Sequence, residues 1–223
     1  MYFMSIQEEI NQKSISFRQR LFARFMASEN EKIHELYKDR KVELFSQLTG
    51  TILEIGPGTG VNLQFLKCDN KWIGIEPNIA MYSYLMKEAD RLGMEIQLCR
   101  YFDEDLQIKN RGVDAVISTL VLCSVTSVSE TLKEVLRILK PGGKFVFIEH
   151  VEDKSSTFRY WIQKVLPYTP WRYFSDGCNP GRDIGNEIDT AGFSQVNWQL
   201  YHQEGEGIIR SITRPHICGV AIK

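Results

Sequence analysis

The stretch ILEIGPGTG, residues 52–60, decides the fold class of this 223-residue chain. A short apolar run ends in a loop with glycines at positions 56, 58 and 60. In α/β proteins, a buried strand leads in this way into a ligand-binding turn. The same glycines would also fit an ordinary turn, so the neighbouring segments must indicate whether the loop holds a ligand, and which one.

Strand-like and helix-like patterns alternate after this loop. The patterns predict strands at TILEIG, KWIGIEP, EIQLCRYF, VDAVISTLVLCSV and KFVFIEHV, with helices at about 61–66, 78–93 and 127–143. Right-handed crossovers then give a Rossmann-like, doubly wound sheet that is mostly parallel. After a predicted helix at 182–193, the last two strands, SQVNWQLYH and HICGVAIK, are joined by a loop too short for a normal helical crossover. We therefore expect an α/β fold with seven strands and an antiparallel edge pair.

The N-terminal 48 residues are predicted to be a helical segment preceding a single domain at 49–223. Residues 14–48 contain no glycine or proline, and their apolar residues recur at helical spacing. We expect two helices with a break near 27–30, where Ser28 can cap the second. The basic, amphipathic part of this segment would serve as a lid, contact a membrane surface or simply pack.

Composition excludes several classes of function. The net charge of −1 gives no basic patch for nucleic acid. The sequence has no apolar run long enough for a transmembrane helix and no signal-peptide pattern, so we expect a cytoplasmic protein. The five cysteines form no CxxC pair, which predicts free thiols in a reducing compartment and no metal site.

Two acidic residues narrow the ligand of the loop. A phosphate-binding Walker loop needs a lysine that is missing here. Glu54 lies in the strand before the first glycine, where it would repel a pyrophosphate and suit an ammonium group. Glu76 ends the second strand, where an acid can accept hydrogen bonds from both ribose hydroxyls. This combination favours an aminoacyl nucleoside and argues against a nicotinamide oxidoreductase.

The motifs LEIGPGTG, GIEPN, FDEDL and ILKPGGKFVFIEH resemble those of class I S-adenosylmethionine-dependent methyltransferases. TLVLCSV, EHV, DGCN and RPHICGVAIK are similar to the methyltransferase-like seven group, the small-thiol methyltransferases, from about residue 35 onward. The resemblance implies methyl transfer from S-adenosylmethionine, giving S-adenosylhomocysteine, to a small apolar acceptor with a thiol as first choice. The alternatives are an oxygen or nitrogen acceptor and a non-catalytic cofactor-binding domain.

The resemblance also implies a set of cofactor-binding residues. Glu54 would face the methionine ammonium directly or through water, and Glu76 would bind the ribose. The remaining residues are Gly56, Pro57, Gly58, Gly60, Pro77, Asn78, Met81, Phe102, Asp103, Glu104, Thr119 and Leu120.

Acceptor residues are expected at the carboxyl edge of the sheet. His150, after the fifth strand, is the first candidate for a base or orienting group, or is a histidine held at a strand end. Asp176 is the second candidate, or is a helix cap or turn acid. An aromatic stretch at about 152–178 would cover the acceptor, and neither cysteine in the pocket is expected to be covalently catalytic. Candidate pocket residues are Phe25, Cys123, Phe158, Trp161, Trp171, Phe174, Cys178 and Arg182, the last of which would hold a carboxylate or pair with Asp183 or Glu187.

Overall fold

The computed structural model describes residues 15–101, 110–205 and 207–223. They form a sheet of seven strands flanked by helices. The strands are β1 (Thr51–Ile55), β2 (Lys71–Ile75), β3 (Ile96–Cys99), β4 (Val113–Thr119), β5 (Leu139–His150), β6 (Gln195–His202) and β7 (Pro215–Ile222). The helices are α1 (Phe17–Phe45), α2 (Tyr82–Leu92), α3 (Val128–Ile138), α4 (Phe158–Val165), α5 (Trp171–Phe174), α6 (Ile184–Thr190) and α7 (Ile208–Ile212).

The sheet has the predicted topology. The strand order is β3-β2-β1-β4-β5-β7-β6, and the pairs among the first five strands are all parallel. Strand β7 runs antiparallel to both β5 and β6, which confirms the antiparallel edge. Connections leave β1 and β4 toward opposite sides, so the carboxyl ends of these two strands form the switch point at which such sheets bind ligands.

Apolar side chains on both faces of the sheet form the core. On one face, Val128 and Leu132 of α3 and Ile184 of α6 pack against the strands. On the other face, Phe45 of α1 and Leu85 of α2 do the same. The predicted helix at 78–93 ends, as expected, at Gly93, which has a φ of +65°.

The N-terminal segment is one helix of 29 residues and not two. Ser16 caps it in a capping box with Gln19. Ser28, predicted to begin a second helix, donates its hydroxyl hydrogen to the Phe25 carbonyl at 2.7 Å. Such back-bonding satisfies a serine within a helix, so the polar residues near 27–30 do not interrupt the backbone.

Two other boundaries differ from the prediction. The helix expected at 61–66 is a single 3₁₀ turn, Leu63–Phe65. The fourth strand stops at Thr119 because Leu120 adopts a left-handed conformation with a φ of +56°. In the described part of the chain, no helix combines the length and apolar character needed to cross a membrane.

Candidate active site

The loop after β1 turns tightly beneath a cavity. Gly56 and Gly58 have φ values of +60° and +57°, in the region that favours glycine. A Cβ on Gly56 would lie 2.4 Å from Cγ2 of Val121, so this loop packs directly against the segment after β4. A Cβ on Gly58 would meet no described atom within 4 Å. Gly58 therefore leaves backbone open to a ligand.

Glu76 links this loop to the end of β2. Its Oε2 accepts a hydrogen bond from the Gly58 amide at 2.9 Å, and its Oε1 accepts one from the Asn78 amide at 2.8 Å. Each oxygen can accept one more hydrogen bond from the cavity that the side chain lines. Burial raises the pKa of Glu76 to about 7, although both amides act to lower it. A ligand whose hydroxyl groups donate hydrogen bonds to Glu76 would favour the ionised form of this carboxyl.

The cavity lies at the carboxyl ends of β1, β2 and β4 and has a volume of about 760 Å³. This is within the usual range for a small-molecule site. The predicted cofactor residues that line it are Gly56, Pro57, Gly58, Glu76, Pro77, Met81, Thr119 and Leu120. Phe102, Asp103 and Glu104, predicted near an adenine ring, lie outside the described residues. We call this space the cofactor cavity.

Glu54 lies behind the wall of the cofactor cavity. It is buried, and its carboxylate accepts hydrogen bonds from Nδ2 of Asn62 at 2.7 Å and from Nε1 of Trp72 at 3.2 Å. Burial raises the pKa of Glu54 to about 7. Asn62 lines the cavity and Glu54 does not. Glu54 therefore influences a ligand indirectly, by holding the Asn62 side chain through a hydrogen bond.

Two more predicted cofactor residues have structural positions instead. A Cβ on Gly60 would contact Leu63 at 3.3 Å and Leu85 at 3.4 Å, so this glycine faces the core. The Asn78 side chain accepts a hydrogen bond from the Ala80 amide at 3.1 Å and caps a 3₁₀ turn. Neither residue lines the cavity. Local turn geometry accounts for both positions, and their part in cofactor binding stays a prediction.

Lys41 is a wall residue that the sequence did not indicate. It is on α1, its side chain is completely buried, and it lines the cofactor cavity. Its Nζ has no hydrogen-bond partner among the described residues. Burial lowers the pKa of Lys41 to about 8, while the nearby charge of Glu54 acts to raise it. A buried ammonium without a partner is costly, and an anionic ligand group would remove that cost.

A second cavity, of about 630 Å³, adjoins the first and is mostly apolar. We call it the acceptor cavity. The two cavities share the wall residues Phe22, Met26, Ile33, Leu120 and Ser124. The predicted acceptor residues Phe25, Cys123, His150, Trp171, Phe174 and Cys178 line it.

Three predicted pocket residues line neither cavity. Phe158 and Trp161 are on the outer face of α4, with 81% and 61% of their surface exposed. The inner face of α4 presents Gln163 instead, which is fully buried and donates hydrogen bonds to two carbonyls. Arg182 donates to the Leu122 carbonyl at 2.7 Å and lines neither cavity.

The two candidate catalytic residues lie at different cavities. Nε2 of His150 is 3.4 Å from Sγ of Cys178 in the acceptor cavity. Burial acts to lower the pKa of His150, but Cys123 and Glu149 outweigh it and raise the pKa. Asp176 lines the cofactor cavity, and its Oδ1 is 2.9 Å from Nη1 of Arg18 on α1. Their catalytic roles stay predictions.

The strand order, the glycine loop after β1, the acid that ends β2 and the cavity at the switch point together define the class of S-adenosylmethionine-dependent methyltransferases. Comparison with known proteins agrees. Residues 53–147 match the family model described as a methyltransferase domain. Thiol S-methyltransferase TMT1A of Homo sapiens is 35% identical over 201 residues, covering 85% of this chain and 81% of the human protein. Thiol S-methyltransferase TMT1B of Rattus norvegicus is 34% identical over 213 residues, covering 91% and 86%.

The chain belongs to this thiol S-methyltransferase family. It is a methyltransferase that uses S-adenosylmethionine and releases S-adenosylhomocysteine. Among solved structures, a SAM-dependent methyltransferase from Thermotoga maritima aligns with a TM-score of 0.60 at 20% identity, covering 91% of this chain and 98% of that one. Another from Aquifex aeolicus aligns with a TM-score of 0.54 at 16% identity, covering 86% and 97%. These structures support the fold.

Proposed function

We propose that the enzyme transfers the methyl group of S-adenosylmethionine to the sulfur of a small apolar thiol. The observation that carries this proposal is the mostly apolar acceptor cavity, which shares a wall with the cofactor cavity at Leu120 and Ser124. A sulfonium held in the first cavity can present its methyl group across this wall to a sulfur in the second. Relatives named thiol S-methyltransferases support the choice of sulfur.

The chemistry of the site suits a thiol better than a phenol or an amine. Alignment of two reactants can lower the activation barrier by ~7–11 kcal/mol. The sulfonium is already activated toward methyl transfer. A thiol with a pKa near ~8.5 is partly ionised at neutral pH and does not require a strong base. The acceptor cavity is closed mainly by apolar side chains, with His150, Cys123 and Cys178 as a polar cluster in its wall.

Lys41 is the residue that we assign to the carboxylate of the methionine moiety. Its ammonium is buried at the cofactor cavity without a hydrogen-bond partner among the described residues. An ionised carboxylate there would form a charge-assisted hydrogen bond in a site of low polarity. Glu76, which lines the same cavity, then holds the ribose.

The acceptor class is tested by turnover on matched molecules. The wild-type enzyme is given an alkyl thiol, the corresponding alcohol, a phenol and an amine, and S-adenosylhomocysteine formation is measured for each. We expect turnover with the thiol and little with the others. Faster turnover with the phenol or the amine would contradict sulfur as the acceptor atom, while leaving the cofactor assignment intact.

The acceptor cavity opens on a surface rich in apolar side chains, and we place a lipid surface against it. Leu21 and Phe25 of α1 and Ile209 of α7 line the cavity and are more than half exposed. Helix α4, which carries the exposed Phe158 and Trp161, is adjacent to α7, since Arg159 of α4 donates a hydrogen bond to the Ser211 carbonyl in α7. Exposed aromatic and basic residues together favour the membrane interface. An apolar thiol dissolved in lipid could enter the cavity from this face.

A further inference from the structure

The wall of the acceptor cavity contains a compact cluster of three potential metal ligands. Nε2 of His150 and the Sγ atoms of Cys123 and Cys178 are the facing atoms, and the ligand atoms of the three residues all lie within 4.8 Å of one another. Their residues are between 2% and 8% exposed. They come from three parts of the chain: the segment after β4, the end of β5 and the turn after α5. The sequence-based expectation of no metal site depended on the absence of CxxC pairs. A cluster whose ligands are distant in sequence has no such pattern.

The spacing of these atoms fits zinc. The distance from His150 Nε2 to Cys178 Sγ is 3.4 Å. In a tetrahedral site with Zn–N of ~2.0 Å and Zn–S of ~2.3 Å, two ligand atoms stand roughly 3.5 Å apart. Two thiolates and one imidazole are a donor set that favours Zn²⁺ over harder ions.

A positive charge lies beside the cluster. Arg182 lies near both sulfurs, where its positive charge favours their ionised forms.

We propose that Cys123, His150 and Cys178 bind a zinc ion whose fourth coordination position faces the acceptor cavity and takes the acceptor thiolate. All three residues line that cavity. Three protein ligands with one open position are the pattern of a catalytic zinc site, whereas structural sites are closed by four. This inference rests on the proposed thiol methylation and names the group that would bind and ionise the acceptor.

The step balances without an oxidant or reductant. The acceptor R–SH releases its proton to solvent as its sulfur binds zinc. That sulfur attacks the methyl carbon, the carbon–sulfur bond of the sulfonium breaks, and the electron pair remains on the cofactor sulfur. The products are neutral S-adenosylhomocysteine and the thioether R–S–CH₃, a weaker ligand that dissociates from zinc.

Metal content tests the site directly. The wild-type protein is purified without chelators in a non-thiol reductant, and zinc is measured by elemental analysis. We expect one zinc per chain, and on exchange with Co²⁺ the absorption bands of a tetrahedral thiolate site. Cys123→Ser, Cys178→Ser and His150→Ala should lose the metal, while Cys218→Ser, which removes a buried thiol remote from both cavities, should retain it.

Several outcomes would overturn the zinc site. The first is a wild-type protein that holds no zinc and gives no cobalt spectrum after reconstitution. The second is a Cys123–Cys178 disulfide whose reduction yields a protein that binds no metal. The third is full metal retention in all three variants. Because the wild-type measurements need no mutant to fold, the test does not depend on the variants. Thiol turnover by a metal-free wild-type enzyme would remove zinc and leave the proposed function standing, whereas a zinc-loaded enzyme that methylates no thiol would contradict the proposed function.

Discussion

At the scale of single residues, Lys41 shows what a sequence pattern cannot reveal. Its position within a long helix predicts a solvated lysine, as expected for most lysines. Lys41 is buried because α1 packs against one face of the sheet, and that packing depends on contacts between residues distant in sequence. Glu76, in contrast, is predictable from its position at the end of the second strand and its spacing from the glycine loop, because both follow from the crossover between β1 and β2.

Replacing Lys41 with methionine should affect binding and stability in opposite directions. The variant removes a buried ammonium that has no hydrogen-bond partner among the described residues, so its melting temperature without cofactor should rise or stay constant. Affinity for S-adenosylhomocysteine should fall about ten- to a hundredfold, since a charge-assisted hydrogen bond is lost. Calorimetric titration and thermal melts measure both effects. Lys38→Met, on an exposed part of the same helix, is the control and should leave affinity unchanged. Equal affinity in both variants would remove Lys41 from the cofactor site.

Glu76 predicts a pH dependence of cofactor binding. Its pKa of about 7 without ligand means that the carboxyl is largely protonated near pH 6 and largely ionised near pH 8. Ribose hydroxyls donate to the ionised form, so affinity for S-adenosylhomocysteine should increase about tenfold as pH rises through this window. Glu76→Gln should bind more weakly and lose most of this increase, whereas Glu88→Gln, paired with Arg91 on α2, should keep it. An identical pH slope in Glu76→Gln would assign the titration to another group.

At the scale of elements, the patterns predicted which segments are strands and helices better than where they end. The predicted break in α1 is absent because Ser28 bonds back to its own helix. Strand β4 ends early because Leu120 is forced into a left-handed conformation beside both cavities. The aromatic side of α4 faces outward because a buried glutamine occupies its inner side. The first of these differences comes from a hydrogen bond within the helix itself, the second from the backbone conformation of one residue and the third from burial of Gln163.

The glycine loop provides an element-scale prediction with an internal control. Gly58 and Gly93 have φ values of +57° and +65°, and a Cβ on either would meet no described atom within 4 Å. Valine at either position therefore introduces similar backbone strain, of about 1–2 kcal/mol. Only Gly58 lines the cofactor cavity, so Gly58→Val should abolish S-adenosylhomocysteine binding while Gly93→Val binds normally. Both should melt cooperatively in thermal denaturation. Normal S-adenosylhomocysteine binding by Gly58→Val would show that the loop is only a turn and does not contact the cofactor.

At the scale of the whole molecule, the sheet topology could be predicted because each strand and crossover has a local signature. The two cavities could not, because α1 closes both of them and contacts segments more than a hundred residues away. Arg18, for example, is paired with Asp176 and donates a hydrogen bond to the Tyr173 carbonyl. The sequence indicated the cofactor end of the site and only part of the acceptor end.

The apolar face around the acceptor cavity predicts binding to lipid vesicles. Wild-type protein should co-sediment with vesicles containing anionic lipid, and less so with neutral ones, because Arg18 and Arg210 also line the acceptor cavity. Phe158→Ser combined with Trp161→Ser should weaken this binding without lowering turnover of a water-soluble thiol, since both side chains point away from the cavities. Leu200→Ser, which removes a half-exposed leucine from the edge strand β6, should leave vesicle binding unchanged.

If the wild-type protein does not sediment with either vesicle, or Leu200→Ser weakens binding as much as the double variant, the lipid surface is wrong for this face. Loss of vesicle binding that also slows transfer to a lipid-dissolved thiol, but not to a water-soluble one, would show that the acceptor enters from the membrane side.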